Sequence, residues 1–191
     1  MKRVFDIFVV LISLILLFPI FLISFIIIFT RDGFPIFYIQ KRVGLDGKIF
    51  NLYKFRSMKK NSDKFGSTTF RDDNRIFLGG GFLRRYKIDE LPQLINVLMG
   101  EMSIVGPRPT VLDDYNRMTK EQKKRNTVVP GLTGLAQISG NTSLSWPERI
   151  ILDLKYIKRQ SFIYDSKIIA KTFTMIFSDK IDSETNQGGE W

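Results

Sequence analysis

The sequence predicts an α/β fold of the α+β kind: short strands and amphipathic helices form a compact membrane-associated domain, carried on one long N-terminal apolar helix. Three observations predict it. An apolar run fills residues 4–29 and gives way to a soluble composition beyond Gly33. Two segments, 35–40 and 41–58, read as strands around the turn pair Asp46-Gly47. Later segments at 91–98, 147–159 and 166–177 carry apolar residues at helical spacing. The expected organisation is a membrane helix hairpin over 1–32, a globular domain over 33–177 and a polar tail over 178–191, with no internal repeat.

Composition narrows the chemistry. The 191 residues carry a formal charge of +10, which implies a polyanionic partner: nucleic acid, anionic lipid or a phosphorylated substrate. There is no cysteine and no histidine, which excludes thiol nucleophiles, imidazole bases and the usual zinc sites. Attack and proton transfer must use Asp, Glu, Lys, Tyr, Ser or Thr. Any metal should be a hard cation with oxygen ligands, Mg²⁺ first.

The apolar run is about 39 Å long as a helix, against a hydrocarbon core of about 30 Å. Only Asp6, Ser13, Pro19 and Ser24 interrupt it, and no small-residue cleavage pattern follows. Pro19 removes a backbone hydrogen bond and kinks a helix. Lys2 and Arg3 precede the run and Arg31, Lys41 and Arg42 follow it, so the positive-inside rule draws both ends to the cytoplasm. A helix that enters one leaflet, bends near Pro19 and returns satisfies both facts; a kinked spanning anchor is the alternative.

In the second strand segment Lys54 and Arg56 lie two apart and share a face, either a solvated edge or a phosphate-contacting surface. Residues 61–74 read as a polar mobile loop and Gly79-Gly80-Gly81 as a flexible turn. The charged stretch 113–125 suits an exposed helix or, equally, a loop. Pro130-Gly131-Leu132-Thr133-Gly134 is turn punctuation before a β-like piece at 135–139. The two C-terminal helices, one opened by Pro147, carry basic residues beside apolar stripes and suit either a core face or a membrane interface.

The most informative stretch is 84–109, RRYKIDELPQLINVLMGEMSIVGPRP. Pro92 is tolerable only in a first helical turn, so Asp89 and Glu90 should sit at or just before a helix start, where a carboxylate stays ionised and a phosphate can be held. Leu91, Leu94, Ile95 and Leu98 give that helix a packing face, and Gly100 ends it. Acids at helix starts are common on stability grounds alone. Here they stand with Arg84, Arg85, Lys87 and the proline-clamped Arg108, a set suited to handling a phosphate ester beside a membrane.

KRVFD at 2–6, KRVG at 41–44, KFRSM at 54–58, Asp73-x-Arg75, DELPQL at 89–94, GEMSIVGPRP at 100–109 and PGLTGLAQ at 130–137 stand in one order over nearly the whole chain. In these the chain resembles the bacterial sugar transferases, the monotopic phosphoglycosyl transferases of glycan assembly, in their small minimal-catalytic form. The resemblance implies transfer of a phosphosugar from a UDP-sugar, an N-acetylated amino sugar, to polyprenyl (undecaprenyl) phosphate with release of UMP. It also implies a re-entrant helix broken at Pro19 and a catalytic domain on the anionic cytoplasmic leaflet of the bacterial inner membrane. Asp89 would be the nucleophile, forming an aspartyl-phosphosugar, with Glu90 its partner and both carboxylates near Mg²⁺. Arg108, Arg84, Lys54 and Arg56 would bind substrate phosphates. The chain departs from the pattern with Phe18 before Pro19, Lys87 before the acid pair and Asn141 after Gly140. The rival readings are a nucleic-acid-binding module, on charge and 13% aromatic content, and a noncatalytic membrane scaffold.

Overall fold

A computed structural model describes residues 1–60, 62 and 73–177, and its longest element is helix α1 (Lys2–Asp32). At 31 residues it is about 46 Å long, enough to cross a bilayer. Its buried residues are Asp6, Val10, Ser24 and Ile28. Asp6 to Ser24, and Val10 to Ile28, are each about five full turns, so both ends bury the same stripe. The opposite side leaves Val4, Phe8, Leu11, Ile15, Leu16, Phe18, Leu22 and Ile26 exposed. The helix continues through Pro19, the position of the expected bend. A proline removes a single N–H from the ladder, and the turns on either side remain bonded.

Strands β1 (Phe37–Val43) and β2 (Ile49–Phe55) form an antiparallel pair around a 3-10 turn at Leu45–Gly47. Asp46 and Gly47 both take positive φ there, as the turn pair predicts. Helix α2 (Gly80–Arg85) begins inside the glycine triplet, which corrects the expectation of a flexible turn. A Cβ on Gly80 would lie 2.2 Å from the carbonyl oxygen of Ser57, so glycine lets this helix start pack directly on the exit of β2.

Helix α3 (Gln93–Met99) ends at Gly100, whose φ of 85° is left-handed. Of the expected face Leu94 is buried and Leu98 packs partly buried against the core, whereas Ile95 is exposed and Gln93, Asn96 and Val97 complete the buried side. Asn96 decides this orientation. Its amide donates to Asn51 O and to Glu101 Oε2, both at 2.7 Å, and its oxygen accepts from Tyr53 N at 3.1 Å, while Ile95 turns outward.

Strand β3 (Ser103–Val105) pairs in parallel with β4 (Gly131–Thr133). The β-like piece expected at 135–139 is instead the short helix α6 (Leu135–Ile138). The strand lies earlier, in the expected turn, because Ser103 N and Gly106 N bond to carbonyls of Pro130 and Thr133. Between these strands, α4 (Leu112–Arg117) and α5 (Lys120–Lys123) replace the single exposed helix expected at 113–125, and Arg125 beyond them is buried. Ser145 and Glu148 form a capping box for α7 (Trp146–Arg159), and α8 (Phe162–Phe177) follows. The expected loop at 61–74, apart from Ser62, Asp73 and Asn74, and the tail at 178–191 lie outside the described residues.

Two apolar clusters hold these elements together, and α1 contributes to both. Val10 packs with Phe50, Leu52, Leu94, Val97, Met102 and Ile104, whereas Ile28 packs with Ile36, Phe55, Phe77 and Leu83. Each such buried side chain contributes about 1.5–3 kcal/mol. Polar contacts secure the same two ends. Lys2 pairs with Asp165 at 2.5 Å, Arg3 donates to Leu98 O at 2.7 Å, and Asp6 accepts from Ser103 Oγ at 2.7 Å. At the far end Arg56 donates to Asp32 O at 2.9 Å.

Candidate active site

The acid pair lies on a 3-10 turn, Ile88–Glu90, wedged between α2 and α3 and entered through Lys87 at φ 56°. Pro92 caps α3, so the pair stands just before the helix start, as its spacing predicts. Asp89 is 8% exposed, and its Oδ1 is buried without a hydrogen-bond partner among the described residues. Glu90 is fully engaged. It accepts from Lys54 Nζ at 2.8 Å and from both ends of the Arg108 fork, at 2.5 and 3.2 Å.

These surroundings drive the two carboxyls apart. Burial pushes the Asp89 carboxyl up; Lys54 opposes this, and the neighbouring Glu90 charge adds to it. Glu90 feels burial as well, but Arg108 and Lys54 reverse it and hold Glu90 well below the usual carboxylate range. At Asp89 desolvation outweighs the benefit of a helix start, so its carboxyl lies above that of an ordinary aspartate. Burial also lowers Lys54, with Glu90 restoring part of its charge preference.

Arg108 is positioned through its backbone by two other arginines. Arg125 donates to Arg108 O at 2.8 Å, and Arg42 donates to Pro109 O at 3.3 Å. Arg125 is itself bound to Asp153 at 2.6 Å, both residues nearly inaccessible. Burial lowers Arg42 to about 10, and the Arg108 charge adds to that. Neither Arg42 nor Arg125 was singled out in the sequence for a role at the site. KRVG carried the only available hint for Arg42, and Arg125 looked like one cation among many.

Two cavities meet at the acid pair. A polar one of about 990 Å³ is lined by Asp89, Lys54, Arg56, Arg84, Ser57 and the β1 face at Tyr38 and Gln40. A mainly apolar one of about 250 Å³ is lined by Glu90, Lys87 and Arg108 together with Val9, Leu17, Leu94, Ile169, Phe173 and Ile176. All the phosphate-binding candidates thus surround the acids, on two sides. The Arg84 side chain makes no hydrogen bond or ion pair among the described residues, yet its charge acts on Asp89. Arg56 is divided: Nη2 fastens the end of α1, while Nε and Nη1 are buried without partners among the described residues. Lys54 serves Glu90 instead of standing free. Asp73 and Arg75 clip to each other at 2.5 Å, away from the acid pair's contacts.

For a divalent cation the donors are few. Among the described residues no three carboxylates cluster. Glu90 is committed to two cations, which leaves the orphaned Oδ1 of Asp89 as the open hard donor. That fits Mg²⁺, which is commonly held by one or two carboxylates with substrate phosphates completing the shell.

A family model for bacterial sugar transferases matches residues 1–179. An uncharacterized sugar transferase of Bacillus subtilis, EpsL, is 39% identical over 186 residues, covering 97% of this chain and 92% of its own. The UDP-glucose:undecaprenyl-phosphate glucose-1-phosphate transferase of Escherichia coli is 38% identical, covering 94% of this chain but 41% of its own length. The undecaprenyl-phosphate galactose phosphotransferase of Salmonella typhimurium is 36% identical, covering 92% of this chain and 40% of its own.

Proposed function

The chain belongs to the bacterial sugar transferase family, and from that premise we propose a two-step phosphoglycosyl transferase with Asp89 as its nucleophile. The coarse reaction follows from the family: transfer of a phosphosugar to polyprenyl phosphate by a membrane-associated enzyme. Membership decides against the scaffold and the nucleic-acid readings. The donor is a UDP-sugar in the polar cavity, and the acceptor is polyprenyl phosphate with its chain in the apolar one. What carries this reading is that adjacent carboxylates open to two cavities of opposite character.

Asp89 attacks the sugar-bearing phosphorus, the bond to the uridine-linked phosphate breaks, and UMP leaves with the electron pair. An oxygen of the lipid phosphate then attacks the same phosphorus in line and expels the Asp89 carboxylate, giving the lipid diphosphate sugar. Arg84 and the free nitrogens of Arg56 bind the donor diphosphate. Arg108, gripping Glu90 at rest, stabilises charge at the transferred phosphate. Glu90 organises these cations and raises the basicity of Asp89. Mg²⁺, bound by Asp89 with Glu90 beside it, would neutralise diphosphate charge. The domain rests on the cytoplasmic leaflet of the inner membrane, with both ends of α1 on that side. The basic flanks and the attachment of both ends to one domain support this placement.

The test is incubation of purified full-length protein with UDP-sugar and Mg²⁺ but no lipid. A stoichiometric burst of UMP and a phosphosugar mass on an Asp89 peptide are expected, and Asp89→Asn should abolish both. A panel of UDP-glucose, UDP-galactose and UDP-N-acetylhexosamines identifies the sugar, the amino sugar being our expectation. UMP release only after lipid is added, with intersecting double-reciprocal lines, would replace the covalent step by direct transfer.

A further inference from the structure

Gln137, at the end of the PGLTGLAQ motif, has no part in the mechanism above. It lies on α6 and lines the apolar cavity. Both its Nε2 and its Oε1 are buried, and neither has a hydrogen-bond partner among the described residues. An amide left unmet among hydrocarbon is costly, and buried polar groups are nearly always satisfied, so this one waits for a ligand atom.

Its position is set by close backbone approach. A Cβ on Gly134 would fall 2.1 Å from Gly106 O and 2.7 Å from Gln137 Oε1. Glycine at 134 thus brings the amide alongside Gly106, two residues before Arg108. The same cavity is lined by Glu90, Arg108 and Lys87 and by apolar residues of α1 and α8.

We infer that Gln137 is a specificity-determining residue for the acceptor, its Nε2–H donating to a phosphate oxygen of polyprenyl phosphate. The inference rests on the acceptor reading proposed above. A polyprenyl chain is hydrocarbon throughout and its phosphate is the only polar group it brings into this cavity. That phosphate must reach the acid pair and Arg108 to react, and Gln137 lies beside the loop that carries Arg108. The contact is a hydrogen bond only, with no bond made or broken.

The test compares wild type with Gln137→Leu and Gln137→Glu, as full chains in detergent. It measures KM for undecaprenyl phosphate, KM for the UDP-sugar, and melting temperature with and without undecaprenyl phosphate. Leucine fills similar space without an unmet amide, so Gln137→Leu should melt at or above wild type. Its KM for lipid phosphate should rise about 10-fold, the worth of one hydrogen bond to a charged group, with the donor KM unmoved. Gln137→Glu should be worse, since its carboxylate repels the phosphate. Lipid should raise the melting temperature of Gln137→Leu less than that of wild type. A lowered melting temperature in Gln137→Leu, an unchanged lipid KM, or a shift in donor KM alone overturns the assignment; the last would make Gln137 a sugar contact. A wild-type protein that forms no lipid-linked product defeats the acceptor reading itself, whereas an active wild type with an indifferent Gln137→Leu defeats only this inference.

Discussion

Lys54 Nζ stands 2.8 Å from Glu90 Oε1, joining the end of strand β2 to the turn that bears Asp89. The pair controls the charge state of Asp89 from two directions, since Glu90 raises that carboxyl and Lys54 lowers it. Because burial and Glu90 leave Asp89 above its ordinary range, the ionised carboxylate is lost as pH falls through that raised pKa. The acid limb of kcat/KM should therefore lie higher than an ordinary aspartate gives. Glu90→Gln removes a negative neighbour and should move the limb to lower pH, whereas Lys54→Met should move it higher. A pH–rate profile of all three proteins checks this, and limbs that coincide would mean that Asp89 does not titrate in the rate.

Arg108→Lys should lose activity on the order of 10²-fold, about 2.7 kcal/mol of transition-state stabilisation. Lysine keeps the charge but cannot reproduce the two-pronged grip that Arg108 has on Glu90, or a matching grip on two phosphate oxygens. Steady-state kinetics of the folded variant decide it. An unchanged kcat/KM would make Arg108 a structural residue.

Arg125 and Asp153 form a buried ion pair that holds the backbone of the Arg108 loop. Arg125→Met leaves Asp153 as an uncompensated buried charge and should cost about 3–5 kcal/mol of stability. Adding Asp153→Leu should recover part of that loss. Denaturant unfolding in detergent gives the ranking. A double variant no more stable than the single one would contradict the charge argument.

Both ends of α1 should face the cytoplasm. In this cysteine-free chain, one cysteine in a short extension ahead of Met1 and another from Arg31→Cys can be labelled with an impermeant thiol reagent in intact and opened cells. Equal protection in intact cells is the expected result. Labelling of one site alone would make α1 a spanning anchor and leave the catalytic reading intact.

The sequence by itself determined what depends on near neighbours along the chain. The apolar run became α1, Asp46-Gly47 turned β1 into β2, Pro92 and Gly100 bracketed α3, and Pro147 opened α7. It also brought forward the acid pair and its basic company, because the motif residues lie close together in order. Only the tertiary structure decided which groups meet across long separations, since a charge's partner in space leaves no periodic trace. Lys54 reaches Glu90 and not open solvent, Arg56 spends one nitrogen on the end of α1, and Arg125 leaves an apparently exposed stretch to pair with Asp153. The same reason governs the misread faces. Ile95 is apolar enough for a core, but Asn96 has three hydrogen bonds available on the other side, and that set turns α3. Where β4 lies, and which amide is left unmet in the apolar cavity, depended likewise on the close approach of Gly131 and Gly134 to Gly106, a contact that two glycines permit and that local propensity does not register.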